Sequence, residues 1–435
     1  MVAGEPEAWG PAIHGGKSWR VLRRLTATAM VMVLVAGAAL ATTARLLIEQ
    51  AETNLTRVPV PALEDTIEST DARHFLLVGS DARDELEAEA LADLPLGEFE
   101  GQRADTIIYV AISEDREAVS LVSLPRDLLV TDGQRERKLT DTFAGGPDEL
   151  IRVISENFEL PVNHYAAISL GGFLDVVRTI GGVEICLDDP LVDANSGADF
   201  DAGCQQMDEA ESLAYVRSRA GDYADFERIG RQQQFITAVL SDLIDARILT
   251  NPRQLMQLTE DVASNLTTDE GLGVSTMIGL ADDMRTVVGD GLPMATVPSY
   301  PVTIDGVNYM VPYEPGAQAM FEDVREGRPL ADQGQRDERN DTHVTIYSGG
   351  RAGAEVVRST LAFAGFLDDA QGVGPAELNA GETTTVYEVP GEEERAGWVA
   401  ATLGADIEPL PAGVEPNGAD VIVGLGDDAG VDAML

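Results

Sequence analysis

Positive charge is what this 435-residue chain has least of: 30 Lys+Arg stand against 75 Asp+Glu, a formal net charge of −45. Lysine is nearly absent, present only at Lys17 and Lys138. So acidic a balance excludes a nucleic-acid surface spread over the molecule, because phosphate binding draws on clustered cations. As compositional drift or saline adaptation it bears on solubility and self-repulsion, not on mechanism. A local anion site stays open. The four histidines and two cysteines form no cluster with zinc-ligand spacing. Aromatics are lean at 5%, yet 44% hydrophobic residues suffice for substantial cores, and the length suggests two or three domains.

Long apolar runs are also scarce, with one exception. Leu25 to Ala44 is 20 residues without a charge, flanked by Arg24 and Arg45, a length that just spans a bilayer core as a helix. Before it, Lys17, Arg20, Arg23 and Arg24 stand against Glu5 and Glu7, a net +2. The positive-inside rule then keeps residues 1–24 in the cytoplasm, makes 25–44 a transmembrane helix, and puts the rest outside beyond a stalk at 45–72. A cleaved signal peptide is the alternative. "GGKS" at Gly15 to Ser18 lacks the upstream glycine spacing of a phosphate loop. Cys186 and Cys204 enclose 17 residues of loop-like sequence. In an oxidising compartment a bridge there would contribute about 3 kcal/mol; two free buried thiols are the alternative.

Three strands are expected at His74–Val78, Thr106–Ile112 and Ala118–Leu124, the last two joined by "SEDRE" as a hairpin-like link. Helical signals follow at Pro147–Phe158, Gly171–Ile180, Asp208–Ala214 and Gln232–Arg247. Such a mixture predicts an α/β or α+β domain over residues 73–325. Residues 326–341 are charged and without apolar periodicity, and read as a linker. From 342 to 435 a β-α-β-α-β pattern predicts a small separate α/β domain; its 16 acids against 3 arginines disfavour an anionic ligand.

Charged pairs flank the three strands. Asp81 and Arg83 follow the first, Arg103 and Asp105 precede the second, and Arg126 and Asp127 follow the third. If the strands run up, down, up, all three pairs lie on one edge of the sheet. Any one pair can be a surface ion pair; three at one rim suggest a site. Carboxylates such as Asp81 and Asp105 are hard donors that suit Mg²⁺ (or Mn²⁺). Arginines present planar forks to phosphate oxygens. The combination suits a pyrophosphate and phosphoryl transfer, with Lys138 as a further cation. Four more arginines, 217, 219, 228 and 231, crowd into "YVRSRAGDYADFERIGRQQQF". Arg217 and Arg219 alternate by two, as on an extended segment. Arg228 and Gln232 are four apart and share a face if a helix begins near Asp225. Arg231 falls off that face and reads as structural.

In order, "FLLVGSDAR", "RADTIIYVAI", "VSLPRDLLV", "RKLTDTFAGG", "LGGFLDVVRTIGGVEI" and "SLAYVRSRAGDYADFERIGRQQ" closely resemble the LytR-CpsA-Psr family of membrane-anchored cell-envelope proteins. "GAEVVRSTLAFAGF" and "ADVIVGLG" resemble the LytR C-terminal-type domain. The resemblance implies an α/β/α-like sandwich with a mixed central sheet and a hydrophobic tunnel for a lipid chain, with Phe173 to Ile180 as a wall. It implies an enzyme moving a glycan polymer from a polyprenyl-pyrophosphate carrier to peptidoglycan as a phosphodiester. Its partners would be that lipid-linked glycan, peptidoglycan and the membrane, with no nucleic acid. By motif position, Asp81 and Asp105 would bind Mg²⁺. Arg83, Arg103, Arg126, Lys138, Arg219, Arg228 and Gln232 would surround the pyrophosphate, with Arg217 nearby. Asp225 would take the acceptor's proton and Asp127 would orient an arginine. The paired cysteines match members with a bridge in this region. The sequence departs from the pattern twice: "AGDYADFERIGR" is acidic around the arginines, and "QQMDEAESLAYVR" has acids where many members carry a glycine turn. A pyrophosphatase using the same groups, or a regulator that only binds polyprenyl lipids, are the competing readings.

Overall fold

The computed structural model describes residues 49–64, 72–80, 104–220, 264–277, 294–331, 336–349, 353–372 and 381–429, with positions 228, 230–232, 234–236, 238–239, 279–280, 375 and 378. Residues 25–44, Asp81, Arg83, Arg103 and Asp225 lie outside the described residues. The chain forms two compact units, Met1–Thr53 and Asn54–Leu435. In the first, residues 49–53 are helical, and among the described residues no helix is long and apolar enough to cross a membrane. The sheets and the charged sheet edge belong to the second unit.

After β1 (Thr56–Val58), β2 (Arg73–Ser80) pairs antiparallel with β3 (Ala104–Ile112), and β3 with β4 (Val119–Ser123). The short link between the last two is present: Ser113 N–H donates to the Ala118 carbonyl, and Arg116 reverses the chain at φ 61°. From Ile107 to Ile112 every residue of β3 is buried, as a central strand covered on both faces requires. A hairpin of β5 (Leu129–Asp132) and β6 (Arg135–Lys138) follows. The helix Pro147–Phe158 then buries Leu150, Ile151, Val153, Ile154 and Phe158, one face at helical spacing, in the core that also holds Leu76, Tyr109 and Val122. Phe75, Ile108, Leu121 and Leu272 form the core of the opposite sheet face. His74 is fully buried, stacked on Tyr109 with its Nε2 3.1 Å from the Val324 carbonyl, and burial lowers its pKa.

β7 (His164–Ser169) lies parallel to β2 and hands over to the helix Leu170–Ile180, capped by the Ser169 hydroxyl, which accepts from Gly172 N–H. β8 (Val183–Leu187), β9 (Leu191–Asp193), β10 (Ala198–Phe200) and β11 (Gly203–Met207) are two nested hairpins, β8 with β11 and β9 with β10. The stretch between the cysteines, expected as a loop, thus carries a hairpin of its own. Cys186 and Cys204 face each other across β8 and β11 and are joined in a disulfide. The acids at Asp208 and Glu211 form a capping box on the helix Glu209–Arg217. That helix, anchored by buried Leu213, Ala214 and Tyr215, runs through Arg217. Arg217 therefore closes a helix and does not share an extended segment with Arg219, contrary to the alternation read from the sequence. With β12 (Leu266–Asp269) and β13 (Met294–Thr296), the mixed sheet has the order β1-β12-β7-β2-β3-β4-β13.

The hairpin of β14 (Ser299–Ile304) and β15 (Val307–Pro312) leads to the helix Glu314–Arg325. The segment read as a linker is anchored in its first part: Ser120 Oγ donates to the Arg328 carbonyl and accepts from Leu330 N–H. Beyond the helix Arg336–Asn340 lies a second sheet of β16 (His343–Tyr347), β17 (Leu367–Gly372), β18 (Thr385–Glu388), β19 (Asp406–Pro409) and β20 (Val421–Gly424), in the order β17-β16-β20-β18-β19. β17 and β19 were not legible, since "LDDAQG" and "DIEP" show no apolar alternation. The helices Ala354–Ala364 and Glu393–Leu403 pack on it. Tyr313 joins this core. Backbones meet closely here: a Cβ on Gly404, at φ 61°, would lie 2.5 Å from the Pro315 carbonyl oxygen.

Candidate functional site

The pairing puts the end of β2, the start of β3, the end of β4 and the end of β7 at one edge of the sheet. Asp105 is the second residue of β3 and its side chain is 46% exposed. Arg126, just past β4, donates from Nη1 to Asp105 Oδ1 at 2.6 Å. Its Nε lies 3.7 Å from Asp127 Oδ2, and Lys138 Nζ lies 2.9 Å from Asp127 Oδ1. Asp105, Arg126, Asp127 and Lys138 thus form one row of alternating charge. A guanidinium fixed between two carboxylates is preorganised, the property required of a donor that must meet charge developing in a transition state.

Backbone bonds hold the row in place. Buried Thr140 donates from Oγ1 to the Ala104 carbonyl and from its N–H to the Arg126 carbonyl, both at 2.9 Å. Thr140 therefore staples the turn after β4 to the head of β3. From the β14–β15 hairpin, Met310 N–H donates to the Asp127 carbonyl at 2.9 Å. Sequence reasoning missed Thr140: it stands in "RKLTDTF", but an uncharged hydroxyl bonded to distant backbone leaves no pattern.

Arg217, Arg219, Arg228 and Gln232 come from the chain that follows β11. Arg217 ends its helix, and Arg219, two residues on, is exposed. Arg228 is buried and Gln232 half-buried, both helical and one turn apart. The Arg219 N–H donates to Asp193 Oδ2 at 2.8 Å. Buried Arg231 donates from Nη2 to the carbonyls of Ser218, at 2.9 Å, and Ala220, at 3.2 Å. Burial pushes the Asp193 carboxyl up, but hydrogen bonds from the Arg219 and Asn195 N–H groups and the Ser218 side chain outweigh it and leave the pKa below the ordinary carboxylate value. Burial pulls the Arg231 guanidinium down, against the opposing influence of Tyr215 and Asp193. Gln234 accepts from the Tyr215 hydroxyl at 2.6 Å and donates to the Cys186 carbonyl at 3.0 Å, tying this helix to the disulfide-bearing strand. Asp193 was also missed, because β9 and β10 are three residues each, too short for strand alternation to register.

For a metal, Asp105 supplies the right donor type. Among the described residues no group of three His, Cys, Asp or Glu side chains is placed to hold an ion alone. Mg²⁺ is commonly held by one or two carboxylates together with substrate phosphate oxygens, and a half-exposed carboxylate at the sheet edge fits that mode.

Known proteins are similar to part of this sequence. A family model described as "LytR_cpsA_psr family" matches residues 37–326. The "Probable cell wall biosynthesis protein LcpB" of Corynebacterium glutamicum is 35% identical over 280 residues, 63% of this chain and 66% of its own length. The "Polyisoprenyl-teichoic acid--peptidoglycan teichoic acid transferase TagU" of Enterococcus faecalis is 30% identical over 197 residues, 44% of this chain and 63% of its own length. This chain thus spans just under two thirds of the length of these two curated relatives, and about half of others that it matches. Among solved structures, the "LytR-Csp2A-Psr enzyme from Actinomyces oris" is 24% identical, with a TM-score of 0.49, over 63% of this chain and 96% of that chain.

Proposed function

This chain belongs to the LytR-CpsA-Psr family, and from that premise we propose that it transfers a glycan polymer from a polyprenyl-pyrophosphate carrier to peptidoglycan. The observation that carries the reading is Arg126 held between Asp105 and Asp127 at the edge where β2, β4 and β7 end and β3 begins. In the reaction a muramic acid hydroxyl oxygen attacks the glycan-bearing phosphorus. A new P–O bond forms, the bond to the bridging oxygen breaks, and polyprenyl phosphate leaves with that electron pair. The acceptor's proton passes to a carboxylate, for which Asp225 is the candidate.

The chain's own residues then have defined tasks. Arg126 donates to phosphate oxygens, joined by Arg83, Arg103, Arg219, Arg228 and Gln232, with Arg217 alongside. Asp127 and Asp105 fix the Arg126 fork, and Lys138 neutralises Asp127 and adds positive potential. Mg²⁺ held by Asp81 and Asp105 would neutralise phosphate charge when bound. In this reading residues 25–44 anchor the protein in the membrane, residues 1–24 face the cytoplasm, and residues 73–325 form the catalytic domain outside. The 342–435 region, resembling a LytR C-terminal-type domain, serves as a binding or spacer module.

The test is product analysis with purified protein, lipid-linked glycan and peptidoglycan. Transfer is expected to fall severely in Arg126→Ala, and Asp105→Asn is expected to raise the Mg²⁺ concentration needed for half-maximal rate. Wild-type transfer by Arg126→Ala would remove the site; an unchanged metal response would remove Asp105 from the metal shell.

A further inference from the structure

Between the helix ending at Arg217 and the helical residues from Arg228 onward, the chain passes through Ser218, Arg219 and Ala220 without regular structure. Ser218 leaves the helix at φ −59°, ψ 138° and is fully buried. Here backbone groups are satisfied by side chains. The Arg219 N–H donates to Asp193 Oδ2, and the carbonyls on either side of Arg219, those of Ser218 and Ala220, both accept from Arg231 Nη2. The Ala220 N–H turns back to Ser218 Oγ at 3.3 Å.

Asp193 is itself aimed. Its Oδ1 accepts the Asn195 N–H at 2.9 Å, and its carbonyl accepts the Gly197 N–H at 2.9 Å, which closes the β9–β10 turn. Arg231 and Asp193 are 6% and 9% exposed. Withdrawing charges from water carries a desolvation cost, and apolar residues of similar volume would often serve stability as well or better. Yet both charges act on three consecutive residues whose middle member, Arg219, is exposed. The direction in which the Arg219 side chain leaves the backbone is what the arrangement fixes.

We propose that Asp193 and Arg231 are positioning residues that clamp the backbone around Arg219 and aim its guanidinium at the substrate's phosphate. The inference rests on the proposed contact of Arg219 with the pyrophosphate. It gives the disulfide-closed β8–β11 segment a task in the reaction, because Asp193 lies inside it and Gln234 joins Arg231's helix to the Cys186 carbonyl. Misplacing a catalytic group by about 1 Å can cost about a hundredfold in rate, so losing one jaw of the clamp is expected to cost about tenfold or more.

The test is a double-mutant cycle on the full chain. Asp193→Asn, Arg231→Lys, Arg219→Ala and the Arg219→Ala double variants of each are assayed for transfer kcat and KM per folded molecule, with the folded fraction taken from thermal unfolding. The clamp predicts that Asp193→Asn lowers kcat about tenfold or more, and that Arg231→Lys, which keeps a cation able to donate, loses less. In the Arg219→Ala background neither should have a further effect on kcat. Arg231→Lys carries the cycle if Asp193→Asn does not fold. Additive losses, or variants that lose only thermal stability, overturn the clamp and leave the proposed reaction standing. Wild-type transfer by Arg219→Ala overturns the placement of Arg219 at the pyrophosphate, and the clamp with it.

Discussion

Arg126→Lys separates charge from geometry at the centre of the proposed site. The lysine keeps the cation but loses the planar fork that can hold Asp105 from one nitrogen while presenting others. The cost to the fold should be small. Arg126 and Asp105 side chains are 21% and 46% exposed, and ion pairs this open to solvent contribute about 1 kcal/mol or less. The cost to the reaction should be large, because a preorganised donor facing transition-state charge contributes about 2.7–4 kcal/mol, or about 10²- to 10³-fold in kcat. The assay is steady-state transfer of a labelled lipid-linked glycan to peptidoglycan, beside a thermal melt of the same preparation. A melt close to wild type with kcat reduced by about two to three orders of magnitude is expected. Near-wild-type kcat, or a loss matched by unfolding, would refute the assignment of Arg126 to the transition state.

Burial holds His74 below its ordinary pKa of 6.5, so as pH falls through 6.5 the unfolded chain takes up the proton and the folded chain does not. Stability should therefore decline below pH 6.5, by up to about 1.4 kcal/mol per pH unit, until the folded pKa is reached; urea titrations of His74→Gln should lack that component, and equal slopes would contradict it. Gly404→Ala should destabilise more than Gly413→Ala, because both have positive φ but only the former's Cβ would meet backbone, at Pro315; equal melting temperatures would show that the close approach carries no weight. Reducing the Cys186–Cys204 bridge should cost about 3 kcal/mol of stability, read from denaturation with and without reductant; coincident curves would contradict this.

The elements legible in the sequence were those with long apolar patterns. β2, β3 and β4 announce themselves as runs of buried residues, and the antiparallel order of β3 and β4 followed from the short link at "SEDRE". Once those directions were known, Asp105, Arg126 and Asp127 had to share an edge, which is why the charged row could be anticipated. Other features depend on partners far along the chain. Arg217 looked extended because alternation by two was the visible pattern, whereas the Asp208–Glu211 capping box and buried Tyr215 carry the helix to it. Thr140 acts across 36 residues on Ala104, and Asp193 across 26 on Arg219. Both bonds engage backbone, so no partner residue type advertises them.

The central claim is tested most directly by identifying what the glycan's phosphate is bonded to after reaction. Full-length protein in detergent, given a defined polyprenyl-pyrophosphate-linked glycan and a peptidoglycan fragment, should yield polyprenyl phosphate and a glycan joined to the fragment through a phosphodiester, seen by mass spectrometry. Polyprenyl phosphate released together with a free glycan phosphate, and no fragment adduct, would mean that water is the acceptor and would contradict the transferase account.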